Sequence, residues 1–160
     1  MFWVVVIATA VVLADQLTKW LVRHGICETQ PVPILSGLFQ LVNWRNSGAA
    51  WGILRDHNWI LVIASLLTLL GLVVFRRSLQ LQRRWNRVAI GLMAGGIVGN
   101  LIDRVCLGFV VDFLDFSVAG HHWPAFNIAD SAICIGVVLY IIGSWRDGRS
   151  PEGTSPACGA

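Results

Sequence analysis

The sequence predicts an all-α membrane protein, four transmembrane helices with a small extracytoplasmic, β-containing loop region. Composition points there first: of 160 residues, 56% are hydrophobic and 13% charged, where a soluble domain carries about 25% charged residues. The mean hydropathy is +0.67, and the apolar residues are gathered into long blocks rather than spread at helical or strand period. These features exclude a disordered chain and an ordinary soluble domain. Charge is the third observation. The net +3 comes from eleven Arg and one Lys against nine acids, and five of the Arg fall within Arg76–Arg87. That clustering sets membrane topology and does not suggest nucleic-acid binding.

The first span is Phe2–Val22. It lacks a basic leader and a small-residue cleavage site, so it reads as a retained span and not a signal peptide. The loop 23–58 holds Pro31, Pro33 and Gly37, and its alternating stretch Leu38–Trp44 predicts a short strand pair at the membrane surface. The second span, Trp59–Phe75, has no charge and is expected to be scaffold. Arg76, Arg77, Arg83, Arg84 and Arg87 precede the third span, Val88–Val105, and Arg146 and Arg149 follow the fourth, Ala125–Trp145. By the positive-inside rule both basic segments are cytoplasmic, which puts both termini in the cytoplasm and loops 23–58 and 106–124 outside. Residues 1–145 then form one membrane domain, and 146–160, rich in Gly, Ser and Pro, a flexible cytoplasmic tail. Trp3, Trp20, Trp59, Trp123 and Trp145 fall near span ends, where an indole anchors at headgroup level. Gly91, Gly95 and Gly99, with Gly96 beside them, predict a face on which span three approaches span four closely.

Polar side chains inside a bilayer are costly, so their positions carry information. Span one has Asp15, Gln16 and Lys19, span three Asn100, Asp103 and Arg104, and span four Asn127 and Asp130. At 1.5 Å rise per residue, Asp15 and Asp103 each lie roughly 20 Å from the cytoplasmic side and Asp130 about 8 Å below the outer one. All converge on the outer third. Asp15 and Lys19 are spaced for an intrahelical ion pair, which serves helix packing as readily as it supports a site.

Asp103, next to Arg104, is expected to pair with it or with nearby backbone and to act as a structural group. Asp112, in the apolar run Phe109–Leu114, has its pKa raised by desolvation, and Asp130 is desolvated as well. Two such carboxylates sharing one proton and one water can deprotonate that water and protonate a leaving amine. Asp115, with Ser117 and His121 after it, is expected on the outer-loop surface. Neither Ser47 nor Ser131 has a base at helical spacing, and His121 and His122 lack a third ligand, so neither a nucleophilic serine nor a metal is expected. No cofactor is expected either. The four Cys, at 27, 106, 134 and 158, form no zinc or redox motif, and only Cys27 and Cys106 are placed to pair on an oxidising face.

The segments Asp15–Lys19, Asn46–Trp51, Gly95–Arg104, Val111–Phe113 and Phe126–Asp130, in this order across four spans, resemble the motif set of bacterial lipoprotein signal peptidases, or signal peptidase II. The resemblance covers residues 1–145. It implies an intramembrane aspartic endopeptidase of the bacterial inner membrane. Its substrate is a prolipoprotein, cut before a diacylglyceryl-modified cysteine near the outer face. Inhibition by globomycin, contact with membrane lipids and a monomeric state are implied too. Carried over by motif, Asp112 and Asp130 are the catalytic pair. Asn46, Gly48, Asn100, Asp103, Arg104 and Asn127 bind substrate or hold the pair, and Asp15 and Lys19 support the site. The resemblance also places a small sheet at Phe39–Arg45 and a surface helix at Trp51–Trp59. The competing reading is a small four-span proton-coupled transporter, which also needs membrane carboxylates but requires a polar path reaching both sides. A structural subunit would leave the Asp–Asn faces without purpose.

Overall fold

The computed structural model describes residues 1–48, 53–118 and 121–147. Among them are four helices, α1 (Phe2–Gly25), α2 (Asn58–Val74), α3 (Arg84–Cys106) and α4 (Ile128–Asp147), and four strands, β1 (Val32–Leu35), β2 (Phe39–Asn46), β3 (Val110–Val118) and β4 (His121–His122), with β1 and β2 following α1 and β3 and β4 following α3. Phe2–Gly25, Arg84–Cys106 and Ile128–Trp145 are long and apolar enough to cross a membrane, and α2 is a shorter apolar helix of 17 residues.

The helices differ from the expected spans at their ends. α1 continues three residues beyond Val22, α3 begins at Arg84 and so takes in Arg84 and Arg87, and α4 starts at Ile128 rather than Ala125. Where a surface helix was expected over Trp51–Trp59, residues 53–56 form a turn and α2 begins at Asn58, while 49–52 lie outside the described residues. The segment 148–160, most of the expected flexible tail, lies outside them too.

α3 is the centre of the bundle and packs against α1, α2 and α4. Its glycines explain how: Gly96 and Gly99 meet span four as expected, while Gly91 and Gly95, expected on the same face, meet span one. A Cβ on Gly95 would fall 2.7 Å from the Ala8 carbonyl oxygen, so the Gly91–Gly95 row meets α1. Gly96, about 100° around the helix, presses on the Ala129 carbonyl of α4. Gly99 lies between the two, against Asp15 of α1 and Ala129 of α4. α2 has no buried residue.

The strands form one antiparallel sheet in the order β1-β2-β3-β4. β2 was anticipated from its alternation, but β3, nine residues long, was not. Val110–Phe113 and Asp115 are all buried, so both faces of the strand's first half are covered and no apolar–polar alternation betrays it. Val111 and Phe113 pack with Val22 of α1, seating the sheet on the end of that helix. Register places Asp112 opposite Trp44, and Phe126 bridges to Leu114 ahead of α4. Cys27, Cys106 and Cys134 are free and exposed, so the pairing considered for the first two is not formed.

Candidate active site

Asp112 lies near the start of β3 and Asp130 in the first turn of α4. Asn127, expected inside span four, sits one residue before the helix. Its Oδ1 accepts the Asp130 N–H at 3.0 Å and its own N–H donates to Asp130 Oδ2 at 3.2 Å. This is a reciprocal helix cap of the capping-box kind, which explains the Asn-x-x-Asp spacing better than a shared helix face does. With Oδ1 occupied by a donor, Nδ2 is the end free to donate, and it does so to Asp112 Oδ1 at 2.8 Å.

Two further asparagines are oriented in the same way. Asn46 Oδ1 accepts the Gly48 N–H at 2.9 Å, and its Nδ2 donates to Asp112 Oδ2 at 2.8 Å. Asn100 Oδ1 accepts Lys19 Nζ at 2.9 Å, and its Nδ2 donates to Asp130 Oδ1 at 2.7 Å. Each of the four carboxylate oxygens therefore has one fixed donor.

Beneath the pair is a buried ionic layer. Lys19 Nζ lies 2.8 Å from Asp15 Oδ2 and 3.0 Å from Asp103 Oδ2. Asp15 Oδ1 accepts the N–H of Ala129, the neighbour of Asp130, at 2.9 Å, and Asp103 Oδ2 accepts the N–H of Val111, the neighbour of Asp112, at 3.1 Å. The layer thus grips the main chain beside each carboxylate. Asp103 bonds backbone, as one expected alternative had it, while its charge partner is Lys19. Gln16, noted as a polar span residue but not as a site residue, joins the layer through Asp103 Oδ1 at 3.0 Å and Asp15 Oδ2 at 3.2 Å. Its place within the Asp15–Lys19 segment was the available signal.

A cavity of about 690 Å³ is lined by both aspartates, by Asn46, Asn100 and Arg104, and on its apolar side by Trp123, Phe126 and Ile133. The Arg104 guanidinium belongs to this wall, and its Nη1 comes no nearer than 3.5 Å to the Asn100 carbonyl. Asn58, which the sequence did not single out, donates to the Arg104 carbonyl at 2.9 Å and ties the start of α2 to the last turn of α3. Burial, followed by the charge of Asp130, pushes the Asp112 carboxyl up to about 7, against the opposing hydrogen bonds from Asn46 and Asn127. Among the described residues no group of three or more His, Cys, Asp or Glu is arranged to hold a metal ion.

Apolar helices of spanning length, with two carboxylates held by amides in a cavity at one end of the bundle, define a membrane protein built around a paired-aspartate site. The family profile of signal peptidase (SPase) II matches residues 7–146, and the chain belongs to that family. It is 44% identical to a lipoprotein signal peptidase of Syntrophotalea carbinolica over 145 residues, covering 89% of this chain and 90% of that one. Against the lipoprotein signal peptidase of Bacillus subtilis it is 41% identical over 136 residues, covering 85% and 88%. A bacterial membrane enzyme solved in meso at 2.3 Å superposes with a TM-score of 0.85 at 35% identity, covering 95% of this chain and 94% of that one.

Proposed function

We propose that this protein removes the signal peptide from prolipoproteins as an intramembrane aspartic endopeptidase, cleaving before a diacylglyceryl-modified cysteine. The observation that carries the aspartic mechanism is the placement of Asp112 and Asp130 on the wall of one cavity, each oxygen held by its own donor. Family membership supports the substrate class.

Asp112, pushed up to about 7, holds the proton of the pair, and Asp130 is the base. Asp130 takes a proton from water, whose oxygen adds to the scissile carbonyl carbon while Asp112 donates to the carbonyl oxygen. Collapse of the tetrahedral species breaks the C–N bond. The proton held by Asp130 goes to the amine, and the one lent to the oxygen returns to Asp112. Asn46, Asn100 and Asn127 keep the two carboxyls in place, and Arg104, which does not lose its proton, orients substrate.

α2 acts as the fourth span: 17 residues rise about 26 Å, at the lower end of what a bilayer requires. The Arg76–Arg87 cluster and Arg146 support cytoplasmic termini, and with them a site near the outer face of the inner membrane. There the lipid chains of the substrate stay in the bilayer and water reaches the scissile bond. A monomer contains the whole site, and a globomycin-type cyclic peptide competes for the cavity.

The test is cleavage of a synthetic diacylglyceryl-modified prolipoprotein by the purified protein in detergent, beside Asp112→Asn and Asp130→Asn. Cleavage just before the lipidated cysteine, lost in both folded variants, is the expected result. Near wild-type processing by either variant removes the dyad, and no processing by folded wild type removes the function.

A further inference from the structure

Asp115, expected at the surface, is 0% exposed. It stands opposite Gln40 in the β2–β3 register and accepts the Gln40 Nε2 at 2.6 Å. Both its oxygens also lie 3.0 Å from Nδ1 of His122, whose side chain is 51% exposed. A buried carboxylate is costly unless it is met by donors. One donor here comes from the sheet, and the other comes from β4.

β4 opens the strap 121–127 that leads into α4, and Trp123, Pro124, Ala125 and Phe126 of that strap line the cavity holding Asp112 and Asp130. Main-chain pairing with β3 holds the strap along its length: His121 and His122 pair with Val118 and Ser117, the Trp123 N–H donates to the Phe116 carbonyl at 2.8 Å, and Phe126 exchanges bonds with Leu114 at 2.9 and 3.1 Å. The side-chain lock at its outer end is the His122–Asp115 contact. Asp115 belongs to the same strand as Asp112, three residues further on, so a strap locked to Asp115 is locked relative to the catalytic carboxyl. Neither Asp115 nor His122 shares a hydrogen bond with Asp112 or Asp130 in the network described above.

We propose that Asp115 and His122 are positioning residues which clamp the 121–127 strap as the substrate-binding wall of the cavity, setting affinity for the lipopeptide and leaving the chemical step alone. The proposal rests on the peptidase reading.

Steady-state cleavage of a diacylglyceryl-modified lipopeptide by wild type, His122→Leu, His122→Asn and Asp115→Asn tests it, with thermal melts of each. His122→Leu is expected to raise KM roughly tenfold, the loss of about one hydrogen bond to a charged group, with kcat within about twofold of wild type. His122→Asn, whose amide nitrogen falls close to the position of Nδ1, is expected to restore KM, and Asp115→Asn to raise it. An unchanged KM in His122→Leu, a loss confined to kcat, or equal KM in the Leu and Asn variants overturns the clamp. Because His122 is half exposed, its variants report even where Asp115→Asn melts early. If wild type cleaves and the variants keep its KM, only the clamp fails; if wild type does not cleave, the peptidase reading fails first.

Discussion

Lys19 Nζ donates to Asn100 Oδ1 at 2.9 Å while Asn100 Nδ2 donates to Asp130 Oδ1 at 2.7 Å. An ammonium only donates, so Lys19 determines which end of the Asn100 amide faces the carboxylate. The same cation lies between Asp15 and Asp103, and all three are buried. A lysine of α1 thereby orients an amide of α3 toward an acid of α4.

Lys19→Met leaves Asp15 and Asp103 buried without that cation and releases the Asn100 amide to flip. Removing one member of a buried ion pair costs about 3–5 kcal/mol, so the melting midpoint in detergent is expected to fall by roughly 10 °C for a chain of this size, and cleavage to be lost. Lys19→Arg keeps the charge but not the compact point geometry, and is expected to fall between the two. A Lys19→Met protein that melts and cleaves like wild type would remove Lys19 from the site.

Asn127 joins a helix cap to a bond with Asp112, and substitution can separate the two. Asn127→Asp keeps an oxygen to accept the Asp130 N–H but has no donor for Asp112 Oδ1, whereas Asn127→Ala loses both. The alanine variant is expected to lose about 1 kcal/mol of stability, typical of a missing cap, and the aspartate variant to keep the cap's share of it. Both are expected to lose cleavage. Melts and lipopeptide assays on the two proteins decide the matter, and an Asn127→Asp enzyme of wild-type activity would show that the donated bond to Asp112 is dispensable.

The glycines offer a paired test. Gly96→Ala drives a Cβ into the Ala129 backbone next to Asp130, while Gly71→Ala on α2 meets nothing within 4 Å. Overpacking of this kind costs about 1–3 kcal/mol, and the α3–α4 shift is expected to lengthen the Asn100–Asp130 bond and lower cleavage. Gly71→Ala gains the better helix propensity of alanine and is expected to be at least as stable as wild type. Equal melting midpoints for the two variants would contradict the close approach at Gly96.

The polar groups gathered at the candidate site were legible because they stand out in apolar spans: Asp15, Lys19, Asn100, Asp103, Asp130 and, from its apolar run, Asp112. What they bond was less legible. The pairing of Asp103 with Lys19 depends on two helices meeting, which no spacing within one helix encodes. The glycines announced close packing, but a small-residue face carries no mark of its partner, so Gly91 and Gly95 were assigned to span four when they meet span one. β3 escaped because burial on both faces erases alternation, and with it went the burial of Asp115 against Gln40.

Asp112 also predicts a pH dependence whose sign can be worked out. Burial raises its carboxyl from 3.8 to about 7, so the fold favours the protonated form. The associated stability is fully present below 3.8 and is lost as pH rises through about 7. A shift of that size corresponds to about 4 kcal/mol. Wild type is therefore expected to melt higher at pH 5 than at pH 8, and Asp112→Asn, with no proton to lose there, to show a flatter profile. In the proposed mechanism Asp112 is the acid of the pair and must keep the same proton, so kcat/KM is expected to fall on the alkaline side of about 7. Melts of both proteins between pH 4 and 9, with a kcat/KM profile of wild type, check both halves. Parallel melting profiles would mean that Asp112 is not the titrating group, and an activity that keeps rising above pH 8 would mean that cleavage requires no proton on Asp112.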